Sequence, residues 1–308
     1  IFEDNAITGA DLAATGGGIN TLGGFPYSQN VYFARNTLSL MHGWDREAMT
    51  SDGPGGYYYG NAQKAGAQAL SLAGAPADRA GPPERWRGAG VFVLSGRGMG
   101  QFAQVRDVQG ATVQMDRPWQ VAPDATSVLT IAPIQQNYLF IDNTFTDAGV
   151  ALQYYGTSVN HVAAGNKSTR TGGFLNIGKW YRHYQPSWYC QFLDNEILEG
   201  NVYRGGPNNA TRSGEAVIGT FGWQKPPNTA PLALASILRG NHLQSNAHLK
   251  VDGGNDRAAP GVRDVIVENN VVENAEVGLA VSAGVTGLWA RGNRFSNVSE
   301  PERTPGGN

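Results

Sequence analysis

The stretch VIVENNVV, residues 265–272, decides how this chain folds. Two short apolar runs flank an asparagine pair, which predicts a strand, a turn at asparagine and a second strand. The same motif recurs at Asn5, Asn36, Asn143, Asn166, Asn195, Asn241 and Asn293. Counting Asn270, successive asparagines lie 31, 107, 23, 29, 46, 29 and 23 residues apart. A minimum spacing of 23 residues, with longer spacings where loops are inserted, is typical of a solenoid built from rungs of fixed length.

A second strand is predicted a few residues after each asparagine, at a small residue such as Gly149, Gly173 or Gly278. In stacked rungs these strands form a parallel sheet, and alternate side chains face the core and the outside. The asparagines should stack as well, with their amides bonded along the axis of the solenoid. The sequence therefore predicts an all-β solenoid with an asparagine ladder.

The 107-residue step predicts a small inserted β domain at residues 61–135. Apolar alternation at residues 91–94, 102–105, 111–115 and 128–131 indicates short antiparallel strands, in a barrel or a sandwich. The glycine-rich run Gly96–Gln101 is interpreted as a hairpin turn between two of them. Around this insertion, residues 1–60 and 136–298 form the rungs, and the polar tail 299–308 is predicted to be disordered.

Composition excludes several classes of protein. A net charge of −2 gives no electrostatic case for nucleic acid, and no apolar run is long enough for membrane insertion. The single cysteine, Cys190, is expected to fill the core. The chain opens at Ile1 inside a rung, which predicts a piece of a longer protein. We expect that protein to be secreted or displayed on a cell surface.

The asparagine motif and its period resemble the right-handed parallel β-helix of the pectate-lyase-like superfamily, over about three quarters of the chain. The resemblance implies a right-handed parallel β-helix. With the insertion read from residues 61–135, the predicted fold is all-β, a right-handed parallel β-helix with a small antiparallel β insertion. The superfamily includes polysaccharide lyases, glycoside hydrolases, epimerases, phage tailspikes and adhesins. The extended aspartate-rich motifs of polygalacturonase-like hydrolases are not found here, and the resemblance assigns no narrower family.

Alignment of the second strands predicts one outward column of charged residues. It places Glu47, Asp52, Glu215, Lys250 and Asp252 on or beside one face of the solenoid. Carboxylates one or two rungs apart would be about 5–10 Å apart, the range that glycosidases use. The predicted catalytic residues are therefore Asp45, Glu47, Asp52 and Glu215. The predicted substrate contacts on this face are Trp44, Arg46, Lys250 and Asp252. Solvated acidic side chains and a local arginine pair are the alternative explanation.

A second group of candidate substrate contacts is cationic and aromatic. It consists of Lys179, Trp180, Arg182 and His183, with Tyr155 as a continuation of the aromatic lining. Aromatic rings stack on sugar faces, and the cations could hold a uronate while a base abstracts its proton. The alternative is that these rings cap the core.

The sequence predicts no metal and no cofactor. His242 and His248 could meet on adjacent strands, but the histidines lack metal-ligand spacing. Calcium could bind the loop 252–256, although an ordinary turn is favoured there.

Three functions are consistent with the pattern. The favoured one is a carbohydrate-active enzyme that cleaves a polysaccharide or oligosaccharide in a groove, as a glycoside hydrolase with paired carboxylates. The alternatives are a polysaccharide lyase, and a non-catalytic tailspike-like, adhesin-like or self-assembling fibre module. The last would self-associate through the ends or faces of the solenoid.

Overall fold

The computed structural model describes residues 1–9, 19–20, 26–41, 47–52, 55–77, 80–180, 183–200, 215–223 and 230–305, with the backbone alone at residues 19, 20 and 52. Within these ranges the chain is all-β, apart from one 3-10 turn at Pro83–Trp86. None of its described segments is a helix with the length and apolar character that a membrane crossing needs.

The strands before the insertion are β1 (Phe2–Glu3), β2 (Ala6–Thr8), β3 (Ile19–Asn20), β4 (Tyr27–Gln29), β5 (Tyr32–Ala34), β6 (Thr37–Met41) and β7 (Glu47–Asp52). The inserted strands are β8 (Tyr58–Ala65), β9 (Ala69–Leu72), β10 (Gly90–Ser95), β11 (Phe102–Gln109), β12 (Thr112–Met115) and β13 (Val128–Ala132). The strands after it are β14 (Ile134–Gln136), β15 (Leu139–Ile141), β16 (Thr144–Ala148), β17 (Val150–Tyr155), β18 (Ser158–Val159), β19 (Val162–Ala164), β20 (Lys167–Thr171), β21 (Gly173–Trp180), β22 (Tyr184–Gln185), β23 (Ser187–Trp188), β24 (Gln191–Leu193), β25 (Glu196–Glu199), β26 (Val217–Trp223), β27 (Ala233–Leu234), β28 (Ile237–Arg239), β29 (His242–Leu243), β30 (His248–Asp252), β31 (Val262–Glu268), β32 (Val271–Val281), β33 (Val285–Arg291) and β34 (Arg294–Arg303).

The strands outside the insertion stack in register into a parallel β-helix. A rung such as β14 to β17 places two strands in a 13-stranded sheet and two in a 15-stranded sheet. The next rung, β18 to β21, pairs with it strand for strand in the same direction. A short antiparallel hairpin, β21 with β22, departs from this pattern. The parallel β-helix predicted from the asparagine motif is thus confirmed.

An asparagine ladder runs along the corner between the two sheets, as predicted. Each side-chain amide donates to the amide oxygen of the next asparagine at 2.9–3.0 Å, from Asn5 through Asn36, Asn143, Asn166, Asn195, Asn241 and Asn270 to Asn293. The backbone N–H at each step donates to the same oxygen, for example Asn166 to Asn195 at 3.0 Å. The ladder therefore satisfies backbone groups that the corner would otherwise bury without partners.

The core between the sheets is filled by apolar and aromatic side chains from the inward strand positions. Rings stack from rung to rung, such as Tyr154 on Phe192 with centroids 5.4 Å apart. His161 lies fully buried against Tyr138, with ring centroids 4.3 Å apart. Cys190 is fully buried in the same cluster, as expected, and burial raises the pKa of its thiol to about 12.

The insertion is a closed antiparallel barrel in the strand order β10-β11-β12-β9-β8-β13. It leaves the helix after β7 and returns to it at β14, and it has its own apolar core around Trp86. The run Gly96–Gln101 forms the turn between the antiparallel strands β10 and β11, as predicted. The barrel rests on the helix through a shared cluster in which Phe92 meets Trp188 edge to face, at 5.2 Å between centroids.

The tail differs from the prediction. Strand β34 extends to Arg303 and pairs with β32, whereas disorder was expected from residue 299. Pro301 is tolerated because β34 is an outer strand that pairs on one side, with β32. Arg303 also bonds Glu276 at 2.9 Å and Glu300 at 2.7 Å, which anchors the end of the strand.

Candidate functional site

A cleft of about 370 Å³ lies on the outer face of the 15-stranded sheet, and we call it the outer-face cleft. Leu175 and Ile177 from β21 and Val217 and Phe221 from β26 form its floor. Side chains alternate along these strands, so Phe174 and Ile218 fill the core while their neighbours face outward. Although they point outward, the four floor residues are at most 5% exposed. The floor is therefore apolar and almost fully buried.

The floor is smooth because β26 carries a glycine at its centre. A Cβ at Gly219 would approach Phe221 Cε2 to 2.9 Å and the carbonyl oxygen of Lys250 to 2.8 Å. Either contact would force a neighbour to move. Glycine at this position allows the Phe221 ring to lie flat beside the strand.

One wall of the cleft carries an ion pair. Lys250 Nζ donates to Glu215 Oε1 at 2.6 Å, and His248 Nε2 lies 3.4 Å from the same oxygen. Burial raises the pKa of Glu215, but the hydrogen bonds from His248 and Lys250 and their charge outweigh it and lower the pKa to about 2. Glu215 is therefore an anion throughout the physiological pH range.

The other end of the cleft is aromatic and cationic. Lys179 Nζ lies 5.3 Å from the ring centroids of both Tyr155 and Trp223. The three residues come from the ends of β17, β21 and β26, which are neighbours in the sheet. Asp252, at the end of β30, lines the cleft too and accepts a hydrogen bond from Gly254 N at 3.0 Å. Together these groups surround the apolar floor with polar contacts.

The structure thus brings together some of the predicted site residues. Glu215, Lys250 and Asp252 line the outer-face cleft, and Tyr155 and Lys179 border it. The backbone of Asp52 pairs with that of Tyr155, so it shares the strand position of Asp252 as the alignment predicted. Trp44, Asp45, Arg46, Arg182 and the side chain of Asp52 lie outside the described residues.

Glu47 does not join Glu215. It begins β7, three strand spacings from β26, which is about 14 Å and beyond the 5–10 Å expected for paired carboxylates. Its side chain is only 6% exposed and accepts a hydrogen bond from Gln153 Nε2 at 2.9 Å. The predicted carboxylate column therefore separates into distinct places on the sheet.

His183 and Trp180 lie against the barrel and not in the cleft. His183 Nδ1 is 3.2 Å from Thr130 Oγ1 of the barrel, and burial lowers the pKa of His183 to about 4. Trp180 is partly buried and packs against the apolar cluster that joins barrel and helix. The substrate-binding role predicted for His183 is corrected accordingly, because the barrel buries this side chain, which its local sequence could not indicate. The role predicted for Trp180 stays a prediction.

The residues missed at the sequence level are the floor itself, together with Trp223 and His248. The signal was present in the run VIGTFGW at residues 217–223, where alternation sends Val217, Phe221 and Trp223 to the outer face. Apolar residues at three outward positions of one strand indicate a covered or ligand-binding face.

Among the described residues, no group of three or more histidine, cysteine or acidic side chains is arranged to hold a metal ion. The two histidines that could have met are paired separately, His242 with Glu273 at 3.0 Å and His248 with Glu215. In the loop after β30, Asp252 and Asp256 each bond a backbone N–H two residues on, which is an ordinary turn.

The fold defines this chain as a parallel β-helix that carries a small barrel. No family model matches it, and neither does any curated protein sequence. Among the solved structures similar to it is the tailspike gp49 from Pseudomonas phage LKA1, with 10% identity, a TM-score of 0.25, and coverage of 90% of this chain and 70% of that one. A second is the tailspike gp61 from Pseudomonas phage phi297, with 14% identity, a TM-score of 0.26, and coverage of 88% and 62%. A third is the tailspike Gp54 of Acinetobacter baumannii bacteriophage AP22 in complex with A. baumannii capsular saccharide, with 10% identity, a TM-score of 0.23, and coverage of 89% and 66%. The chain thus spans about two thirds of the length of these proteins.

Proposed function

We propose that this chain binds a polysaccharide and seats a sugar residue of it in the outer-face cleft. The observation that carries the proposal is a buried apolar floor beside an ion pair, Glu215 with Lys250, in a volume of about 370 Å³. Ligand sites typically combine such an apolar surface with a few convergent polar groups, at volumes of roughly 300–1,000 Å³.

The cleft offers contacts for both the apolar face and the hydroxyl groups of a sugar. The C–H face of a pyranose packs on apolar and aromatic surface, which Phe221 and Trp223 supply. Its hydroxyl groups need acceptors and donors, and the Glu215 carboxylate and the Lys250 ammonium supply these side by side. Because the two charges neutralise each other, the wall favours hydroxyl groups over a net charge on the ligand.

The test is glycan binding by the Trp223→Ala variant, measured by calorimetry against a panel of neutral and acidic polysaccharides. Trp223 ends β26 and is half-buried, so truncation removes a stacking surface without opening the core. We expect Kd for the bound glycan to rise about tenfold, which corresponds to about 1.4 kcal/mol.

The matched control is Trp289→Ala. Trp289 is 59% exposed on β33 of the other sheet and should contribute nothing to binding. Equal affinities of the two variants would overturn the assignment of the cleft, and so would the absence of binding to any member of the panel.

Glycoside hydrolysis is the second candidate function, because two carboxylates, Glu215 and Asp252, line the same cleft. With its pKa lowered to about 2, Glu215 suits a base or a nucleophile and not a general acid. Incubation of the panel with wild type and Glu215→Gln distinguishes the functions. New reducing ends that form without C=C absorbance and disappear in the variant support hydrolysis. New reducing ends accompanied by C=C absorbance support a lyase.

We also propose an extracellular or cell-surface location, where polysaccharides are accessible. Membership of the pectate-lyase-like superfamily remains a prediction from the asparagine motif. Self-association, expected for a fibre module, is tested by the molar mass of the pure protein in solution.

A further inference from the structure

A second cleft lies where the barrel meets the 13-stranded sheet, and we call it the junction cleft. Its volume is about 340 Å³, and its walls include Phe102 and Arg117 of the barrel and Tyr189 of the helix. Tyr189 lies at the corner between β23 and β24, which belong to the other sheet from the one that forms the outer-face cleft. The two clefts are therefore separate sites.

The walls of the junction cleft are fixed by hydrogen bonds. Gln101 Oε1 accepts the backbone N–H groups of Gln120 and Val121 at 2.8 and 3.0 Å, and Gln101 Nε2 donates to the carbonyl of Val121 at 2.8 Å. This side chain ties the β10–β11 turn to the segment after β12. The site is therefore built before any ligand arrives, which lowers the entropy cost of binding.

Tyr189 closes the cleft from the side of the helix. Its backbone φ is 59°, a left-handed conformation that is uncommon for an aromatic residue. Its Oη donates to the carbonyl of Gly100 at 2.6 Å, and its ring lies 6.5 Å from that of Phe102. The equivalent corner residues Asn160 and Ala235 of the neighbouring rungs are left-handed too, so this conformation belongs to the repeating rung, and it places the Tyr189 ring at the cleft.

Arg117 is an oriented cation. Its Cζ lies 4.7 Å from the centroid of Phe102, and Nη2 donates to the carbonyl of Phe102 at 2.8 Å. Within the described part of the chain, Arg117 has no carboxylate at ion-pair distance. Stacking and the single bond fix the plane of the guanidinium, and its remaining N–H groups are available to a ligand.

We propose that the junction cleft binds an acidic sugar residue, through a carboxylate on the sugar. A guanidinium with a fixed plane matches a carboxylate in a two-bond geometry, and this contact selects an anion over a neutral sugar. Tyr189 provides the apolar wall for the C–H face of the ring, while Phe102 holds the guanidinium in place. Gln120, exposed at the rim, offers an amide to the hydroxyl groups.

The probe is a hyaluronan tetrasaccharide, which contains glucuronate, compared with its methyl ester and with a neutral chitin tetrasaccharide. Calorimetry at low and at physiological salt measures each affinity. We expect wild type to bind the free acid at least tenfold more tightly than the ester, with the difference shrinking as salt rises. Absence of this preference, or of any binding at millimolar concentration, would overturn the proposal.

Substitutions assign the effect to Arg117. Arg117→Gln should remove the preference for the free acid, and Arg117→Lys should keep only part of it because an ammonium lacks the planar fork. Arg106→Gln is the matched control, since Arg106 is an exposed arginine on the same strand as Phe102 and does not line the cleft. Equal losses in the variants at 106 and 117 would indicate nonspecific charge and refute the site.

The proposal stands apart from the function of the outer-face cleft. In Trp223→Ala, affinity for the free acid at the junction cleft should be unchanged. If Trp223→Ala loses affinity for the free acid while Arg117→Gln keeps it, the uronate binds in the outer-face cleft and this inference is refuted.

Discussion

Removal of one internal member of the asparagine ladder tests what holds the rungs together. Asn195 is fully buried and makes four hydrogen bonds through its side chain. Its Nδ2 donates to Asn241 Oδ1 and to the carbonyl of Ala163, both at 3.0 Å. Its Oδ1 accepts the backbone N–H of Asn166 at 3.0 Å and the Asn166 Nδ2 at 2.9 Å.

The cost of Asn195→Ala follows from these partners. The backbone N–H of Asn166 loses its acceptor inside the core, at about 1–3 kcal/mol, and the other three bonds contribute about 1 kcal/mol each. Some relaxation around the small cavity offsets part of this sum. We therefore expect the free energy of unfolding to fall by about 4 kcal/mol.

The matched control is Asn5→Ala, at the first rung of the ladder. Asn5 is half-buried, and its backbone N–H donates to Asn36 Oδ1 at 3.1 Å. The substitution leaves this backbone hydrogen bond in place. We expect a loss of about 1 kcal/mol or less. Urea unfolding followed by circular dichroism gives both values. A loss below about 1 kcal/mol for Asn195→Ala, or equal losses in the two variants, would refute the claim that the ladder stabilises the corner.

Two further predictions concern pH and close packing. Burial lowers the pKa of His161 to about 3 and that of His183 to about 4, so the unfolded chain takes up protons below pH 6.5 that the folded chain refuses. The free energy of unfolding is therefore highest above pH 6.5 and falls as the pH drops toward 4, by roughly 2 kcal/mol per histidine at pH 5. An unfolding free energy that stays constant from pH 7 to pH 5 would contradict this. Gly222→Ala should cost about 3 kcal/mol, because a Cβ there would overlap the carbonyl of Gly261. Gly66→Ala, whose Cβ would meet no atom within 4 Å, should stay within about 0.5 kcal/mol of wild type in the same thermal and urea assays.

Much of the scaffold followed from the sequence because its determinants are local and repeated. Asn143 and Asn166 each form the same turn within their own rung, so their 23-residue spacing reports the rung directly. The inserted domain was recognisable in the sequence from the long gap between successive asparagines. Within this gap apolar and polar residues alternate, and β10 and β11 are two of the strands that this alternation predicts. The prediction of a disordered tail is wrong because it rests on the polar composition of the segment alone. The strand there is stabilised by pairing with β32, which lies about 20 residues earlier in the chain.

The candidate sites depended on contacts between distant segments. Glu215 and Lys250 are 35 residues apart and meet because adjacent strands bring them to one wall. His183 looked like a ligand contact beside Lys179, yet the barrel covers it through Thr130. The sequence by itself determined the rung, because each asparagine turn is a local structure repeated along one axis. Only the tertiary structure decided which outward side chains form the apolar floor, because that floor joins residues of β21 and β26, which become neighbours only in the folded sheet.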